Sequence, residues 1–200
     1  TPSDPSKPNA NLYVLENGQV RQLTFLLNVE REPSFMVDGR LIFTVEKRSR
    51  DFYQLAIRRQ NPDGGDYHPL YAQRGSVGYH EASSVIETAD KDFMAIFSEP
   101  GVPHRGGALG IINRSIGIDF RSTDPADYLV DESVLDPASP TSVDPNFFLH
   151  SLTFADSSVS AKPGTSTTGL FATPAPLPSG KVLVSFGAAS DPTAFDGDYD

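Results

Sequence analysis

Pro33-Ser-Phe-Met-Val-Asp-Gly-Arg-Leu-Ile-Phe-Thr44 is the stretch whose reading decides the fold. An apolar run, a tight Asp38-Gly39 turn and a second apolar run predict a β-hairpin. Gly39 reaches positive φ without a Cβ penalty, and a two-residue hairpin loop demands such values of its central residues. The stretch recurs. Pro174-Ala-Pro-Leu-Pro-Ser-Gly-Lys-Val-Leu-Val-Ser185 aligns with it without a gap, so that proline, glycine, the following base and the apolar run coincide. A repeated hairpin implies a repeated architecture.

Composition agrees. The 200 residues are 38% hydrophobic and 21% charged, which places the chain among folded proteins with a core to bury. Glycine (16) and proline (17) are plentiful, and the apolar runs are short and rich in Val, Ile, Phe and Tyr, as an all-β fold with many turns requires. A net charge of -10 argues against nucleic acid or an anionic membrane as partner, because a phosphate surface attracts a basic face. Without cysteine there is neither a disulfide nor a thiolate metal site. No apolar run approaches the roughly 18 residues of a membrane span. Thr1 is not a translational start, which leaves room for a removed leader or further chain.

Outward from the hairpin, residues 1–9 form a Pro/Ser-rich lead-in, and residues 10–32 a partial unit whose Asn17-Gly18 is the strongest short hairpin signal. Residues 33–78 hold four predicted antiparallel strands, with the turn 61–65 before the last. A four-stranded up-and-down unit of this length is the size of one β-propeller blade. Residues 79–120 repeat it, Phe93 to Ser98 standing for Leu41 to Thr44 and Leu109 to Ile112 for Leu55 to Arg58. The copies starting at Leu12, Leu55 and Leu109 lie 43 and 54 residues apart. Residues 121–169, acidic and Ser/Thr-rich, break the rhythm as an insertion or a degenerate blade whose one strand falls in 147–154. Residues 170–200 restart the repeat as a partial blade. Beginning at a third strand and stopping before another fits a piece of a longer propeller; ring closure by the first two strands is the alternative.

At Pro33, Asp38, Gly39 and Arg40, at Asp63, Gly64 and Gly65, and at Pro174, Pro178, Gly180 and Lys181, with Ser179 in the Asp position, the sequence resembles the TolB-like, WD40-like (PD40) β-propeller repeats. More loosely, residues 101–109 and 173–185 look like the propeller of hydrazine-synthase alpha-subunit-like proteins. The resemblance implies an all-β propeller of an exported bacterial protein, hence a periplasmic or extracellular location. It says little about activity, since propellers host binding, scaffolding and catalysis alike. No haem-attachment cysteine motif exists here, so redox chemistry is not carried over.

Several residues offer chemistry. His104 and Arg105, beside Gly106-Gly107, suit an anionic ligand in an inter-strand loop; the plain alternative is a turn. His80, followed by Glu81, could join His104 as metal ligands, since imidazole and carboxylate suit zinc or iron. Nothing local fixes their distance, and an ordinary hydrogen-bonded or exposed histidine explains each as well; His68 and His150 rank no higher. Asp196, Asp198 and Asp200 have a spacing that feeds calcium, the one cofactor the sequence offers, or form a solvated turn. No Gly-x-Ser-x-Gly elbow or phosphate-binding glycine loop occurs, and Ser115 reads as part of a hairpin turn. Phe43, Phe52 and Phe97 read as packing between blades. No catalytic residue emerges. The expected function is a non-catalytic propeller module binding a protein, peptide or glycan across the blade tops. The alternative is part of a propeller enzyme, a hydrolase or a metal or haem oxidoreductase, whose catalytic groups lie mostly elsewhere.

Overall fold

A computed structural model describes residues 9–49, 52–71, 80–99, 106–112, 135–136, 139–143, 152–156, 158–159 and 169–187. Among them every regular element is a strand. In chain order these are β1 (Tyr13–Glu16), β2 (Gln19–Gln22), β3 (Glu30–Phe35), β4 (Leu41–Ser49), β5 (Phe52–Gln60), β6 (His68–Tyr71), β7 (Glu81–Glu87), β8 (Phe93–Ser98), β9 (Ala108–Ile112), β10 (Leu135–Asp136), β11 (Ser139–Val143), β12 (Leu152–Phe154), β13 (Leu170–Pro176) and β14 (Val182–Gly187). The all-β expectation holds.

The hairpin at Asp38-Gly39 forms, with a loop one residue longer than the sequence suggested. The Gly39 amide donates to the Met36 carbonyl (2.9 Å) and the Met36 amide to the Arg40 carbonyl (2.8 Å), which encloses three residues, Val37 to Gly39. Gly39 sits at φ 85°. A turn closed by one left-handed residue is the usual solution at this length. Asp38 belongs there because its Oδ1 accepts the Arg40 amide at 3.1 Å while Oδ2 holds the guanidinium. The hairpin at Ser179-Gly180 closes in the same way, through Leu177 and Lys181, with Gly180 at φ 76°. So do residues 61–65 around Gly64, and 88–92, where Lys91 takes the left-handed place at φ 68°. Asn17-Gly18 is a two-residue loop, both residues at positive φ.

A second repeated feature is hidden in the strands. Glu32, Ser84 and Thr173 all have φ near +50°, each at a bulge in its strand's pairing. Each lies seven residues before the left-handed loop residue, Gly39, Lys91 or Gly180. The three hairpins β3–β4, β7–β8 and β13–β14 are therefore copies down to single-residue backbone conformation.

β3–β4–β5–β6 forms one antiparallel meander and β7–β8–β9–β12 another. A single parallel pairing, Leu55 with Glu81, links them into one eight-stranded sheet. β12 pairs with β9, Leu152 opposite Ile112. The strand expected within 147–154 is thus the fourth strand of the second meander, and residues 113–151, with the β10–β11 hairpin, connect its third and fourth strands. β7 packs across β3, β4 and β5, and β13 packs across β7, β8 and β9. Alternation along the strands supplies both faces of each layer. Phe93, Ala95 and Phe97 of β8 join the cluster that holds Ile42 and Ile57, whereas Met94 and Ile96 join Leu109 against Phe171, Val182 and Val184. Phe43 and Phe97 are fully buried, as expected of packing residues. On the other face of the first meander, Leu12, Val14 and Leu23 of the β1–β2 hairpin pack against the same core, and Gln60 Nε2 donates to the Leu23 carbonyl at 3.2 Å.

Ala10 bridges Val29 and Leu55 bridges Glu81 in parallel, each just before or within a third strand and at the start of the next first strand, whereas Gly107 bridges Phe171 antiparallel. Leu41 pairs with Gln60 and Phe93 with Ile112, so Leu109 stands with Ile57, two residues from the match its sequence suggests. An even shift keeps the same side chains on the same face, so the apolar pattern alone could not expose it.

Candidate functional site

Of the candidate residues, His80 lies within the described chain. His104 and Arg105 fall in 101–105, and Asp196, Asp198 and Asp200 in 188–200, outside the described residues.

His80 immediately precedes β7, and its carbonyl accepts the Leu55 amide at 2.9 Å. Glu81 lies opposite Ser98 in the β7–β8 ladder, so the next pair outward is His80 and Glu99, their side chains on one face. His80 Nδ1 and Glu99 Oε2 are 2.5 Å apart. The histidine side chain is 40% exposed and the carboxylate half as much. Glu81 does not join them. Its Oε2 accepts the Ser98 hydroxyl at 3.2 Å, on the other face of the hairpin. Among the described residues no three histidine or acidic side chains stand together as a metal site would need. The pair suits a different task. A carboxylate against Nδ1 orients the ring and favours a proton on that nitrogen, which leaves Nε2 to meet an outside donor.

At the opposite end of the sheets, where the three-residue loops lie, the first meander pairs charges between its own loops. Arg40 joins Asp38 at 2.5 Å and Asp66 at 3.2 Å, and Arg59 Nε reaches Asp66 at 3.2 Å. The Asp38 hydrogen bond, partly offset by burial and reinforced by both carboxylates' charge, holds the Arg40 guanidinium above its ordinary pKa. The cluster ties the loop after β3 to the loop after β5.

A third polar group lies between the β1–β2 hairpin and the first meander. Glu30, 2% exposed, accepts the Tyr67 hydroxyl at 3.1 Å and meets Asn11 Nδ2 at 3.5 Å. The Arg58 guanidinium lies over the Tyr67 ring, 5.5 Å from its centre. Burial, then the Glu30 charge, pushes the Tyr67 phenol well above its usual value, against the opposing pull of Arg58. Glu30 is the buried end of this network, while Tyr67 remains 37% exposed.

Sequence reading missed Glu99 and Glu30. Glu99 had a faint local signal, an acidic residue directly after a predicted apolar strand. Only the antiparallel register brings it to His80, nineteen residues away.

No protein-family model and no curated protein matches the chain. Among solved structures, Kuenenia stuttgartiensis hydrazine synthase matches with a TM-score of 0.53 at 18% sequence identity. The match covers 84% of this chain and 18% of that one, so the chain spans less than a fifth of the protein it is similar to. This is a distant structural relationship, a likeness of fold alone; the TolB-like repeats form no part of it.

Proposed function

We propose that the stacked meanders are successive blades of a β-propeller, and that the chain is a non-catalytic module of an exported bacterial protein, binding a protein, peptide or glycan across the blade ends that carry His80. The blade reading is supported by the repeat. Each first strand carries the same bulge and the same following loop, and β7 and β13 lie across the face of the preceding sheet. The binding reading is carried by one observation, the difference between the two ends. At the loop end of the first meander Arg40, Arg59, Asp38 and Asp66 are matched to one another, whereas His80 is held by Glu99 through one ring nitrogen with 40% of its side chain open to solvent. Such a histidine suits the hydroxyl of a sugar or the amide of a peptide.

The test is binding to immobilised glycan and peptide arrays, followed by titration of any ligand captured. We expect His80→Ala to weaken capture at least tenfold and Glu99→Gln to weaken it less, with Asp66→Asn at the other end indistinguishable from the parent. Ligands lost with Asp66→Asn but indifferent to His80→Ala would overturn the assignment.

A further inference from the structure

Two glutamines of β5 are buried on one side of the strand, and their hydrogen bonding differs. Gln60, 2% exposed, donates from Nε2 to the carbonyl of Leu23, which follows β2, at 3.2 Å. Gln54 stands an even number of residues away, and the β4–β5 ladder between them runs without a bulge. Its side chain therefore leaves the same face of the first meander. It is 0% exposed. Among the described residues neither its Oε1 nor its Nε2 has a hydrogen-bond partner.

An amide buried in this way gives up the hydrogen bonds that solvent makes to it in the unfolded chain. Buried polar groups are matched in folded proteins, and where no protein group reaches them ordered water does. Chemistry narrows the partner. A cation would serve Oε1 alone and an anion Nε2 alone, whereas a carboxamide with both ends unmatched calls for a molecule that donates and accepts at once. A third such group lies at this end of the sheet. Asn28 Oδ1 is also buried and without a partner among the described residues. The Val29 carbonyl, next in the chain, accepts the Glu46 amide at 2.8 Å, and Lys47, the residue after Glu46, stands opposite Gln54 in the ladder.

We infer that Gln54 is an internal hydration site, a buried water binding its carboxamide and Asn28 together. One water spans both ends of a carboxamide, accepting from Nε2 and donating to Oε1, and its second hydrogen goes to Asn28 Oδ1. Three hydrogen bonds are the usual complement of a buried water. The site lies beside the joint between the two meanders. Leu55, next to Gln54 in the chain, donates its amide to the His80 carbonyl at 2.9 Å and pairs with Glu81. Water at Gln54 thus steadies, from the other face of β5, the stretch of strand on which the His80 end rests, whatever that end binds.

The two glutamines make a matched test with water itself as the probe. In the full chain labelled with nitrogen-15 at its glutamines, the Gln54 side-chain amide should show dipolar contact with water, its NOE and ROE cross-peaks being of opposite sign. Gln60, equally buried but bonded to a protein carbonyl, should show none. Gln54→Met should abolish the Gln54 signal and leave Gln60 unchanged. Asn28→Ala, which removes one of the three partners, should weaken the Gln54 cross-peak by half or more. The parent spectrum decides by itself if either variant fails to fold, because it compares two residues of one strand. An absent water contact at Gln54, as a protein partner there would give, would overturn the inference. So would equal contact at both glutamines, or cross-peaks of like sign that report only proton exchange with bulk solvent.

Discussion

Lys91 is the residue at which local chemistry and the fold disagree. It occupies at φ 68° the loop place that Gly39, Gly64 and Gly180 fill elsewhere. A left-handed conformation costs a residue with a Cβ about 1–2 kcal/mol, and glycine's extra unfolded-state entropy returns about half of that. Lys91→Gly should therefore stabilise by about 0.5–1 kcal/mol, and Gly39→Ala, which meets open space but the same φ, should destabilise by a similar amount. Urea midpoints at constant m-value would read both; a destabilised Lys91→Gly would deny the strain. Tyr67 makes a pH-dependent case. Its phenol is held protonated beyond the ordinary value near 10, so its contribution is complete below pH 10 and declines as pH climbs toward the raised folded value. Unfolding free energy should thus fall with alkalinity above pH 10, and Tyr67→Phe should flatten that fall. An unchanged slope would show that the Glu30 contact is broken in solution. Neither residue was legible in advance. Lys91 carries no glycine signal, and Glu30 and Tyr67 are far apart in the chain.

At the scale of elements, the bulges explain how neighbouring sheets register. Glu32, on the first bulge, accepts the Ser84 amide at 2.8 Å and the Thr44 hydroxyl at 3.0 Å, so one carboxylate joins the bulge of β3 to the bulge of β7. Glu87 returns the contact, accepting the Val37 amide in the loop of the first meander. Removing an acceptor leaves buried or half-buried donors unmatched. Glu32→Ala should cost about 1–2 kcal/mol, at the lower end of the usual range because the carboxylate is partly exposed, and Glu32→Gln, which keeps a carbonyl oxygen, should recover most of it. Equal stability of the alanine variant and the parent in urea would remove the clasp from the account. The hairpins themselves were readable, since Asp-Gly and Ser-Gly between apolar runs carry their own mechanism. Their loop length was not, because a two-residue and a three-residue loop draw on the same residues and are separated only by the register of the strands they join.

Across the described residues, the sheets stack through alternating faces, and Leu15 of β1 and Leu183 of β14 stay exposed on the two end hairpins. Sequence by itself determined the all-β class, the turn positions and the recurrence of one hairpin, because backbone preference, chain reversal and alternation are properties of a few adjacent residues. It also supplied His80 as a candidate without its partner. Tertiary structure alone decided the three-residue loops, the left-handed bulges, the place of residues 113–151 between two strands of one sheet, and the meeting of His80 with Glu99. Each of these depends on which strands lie side by side and in what register, a choice settled by burying both faces of every sheet at once and not by any segment taken alone.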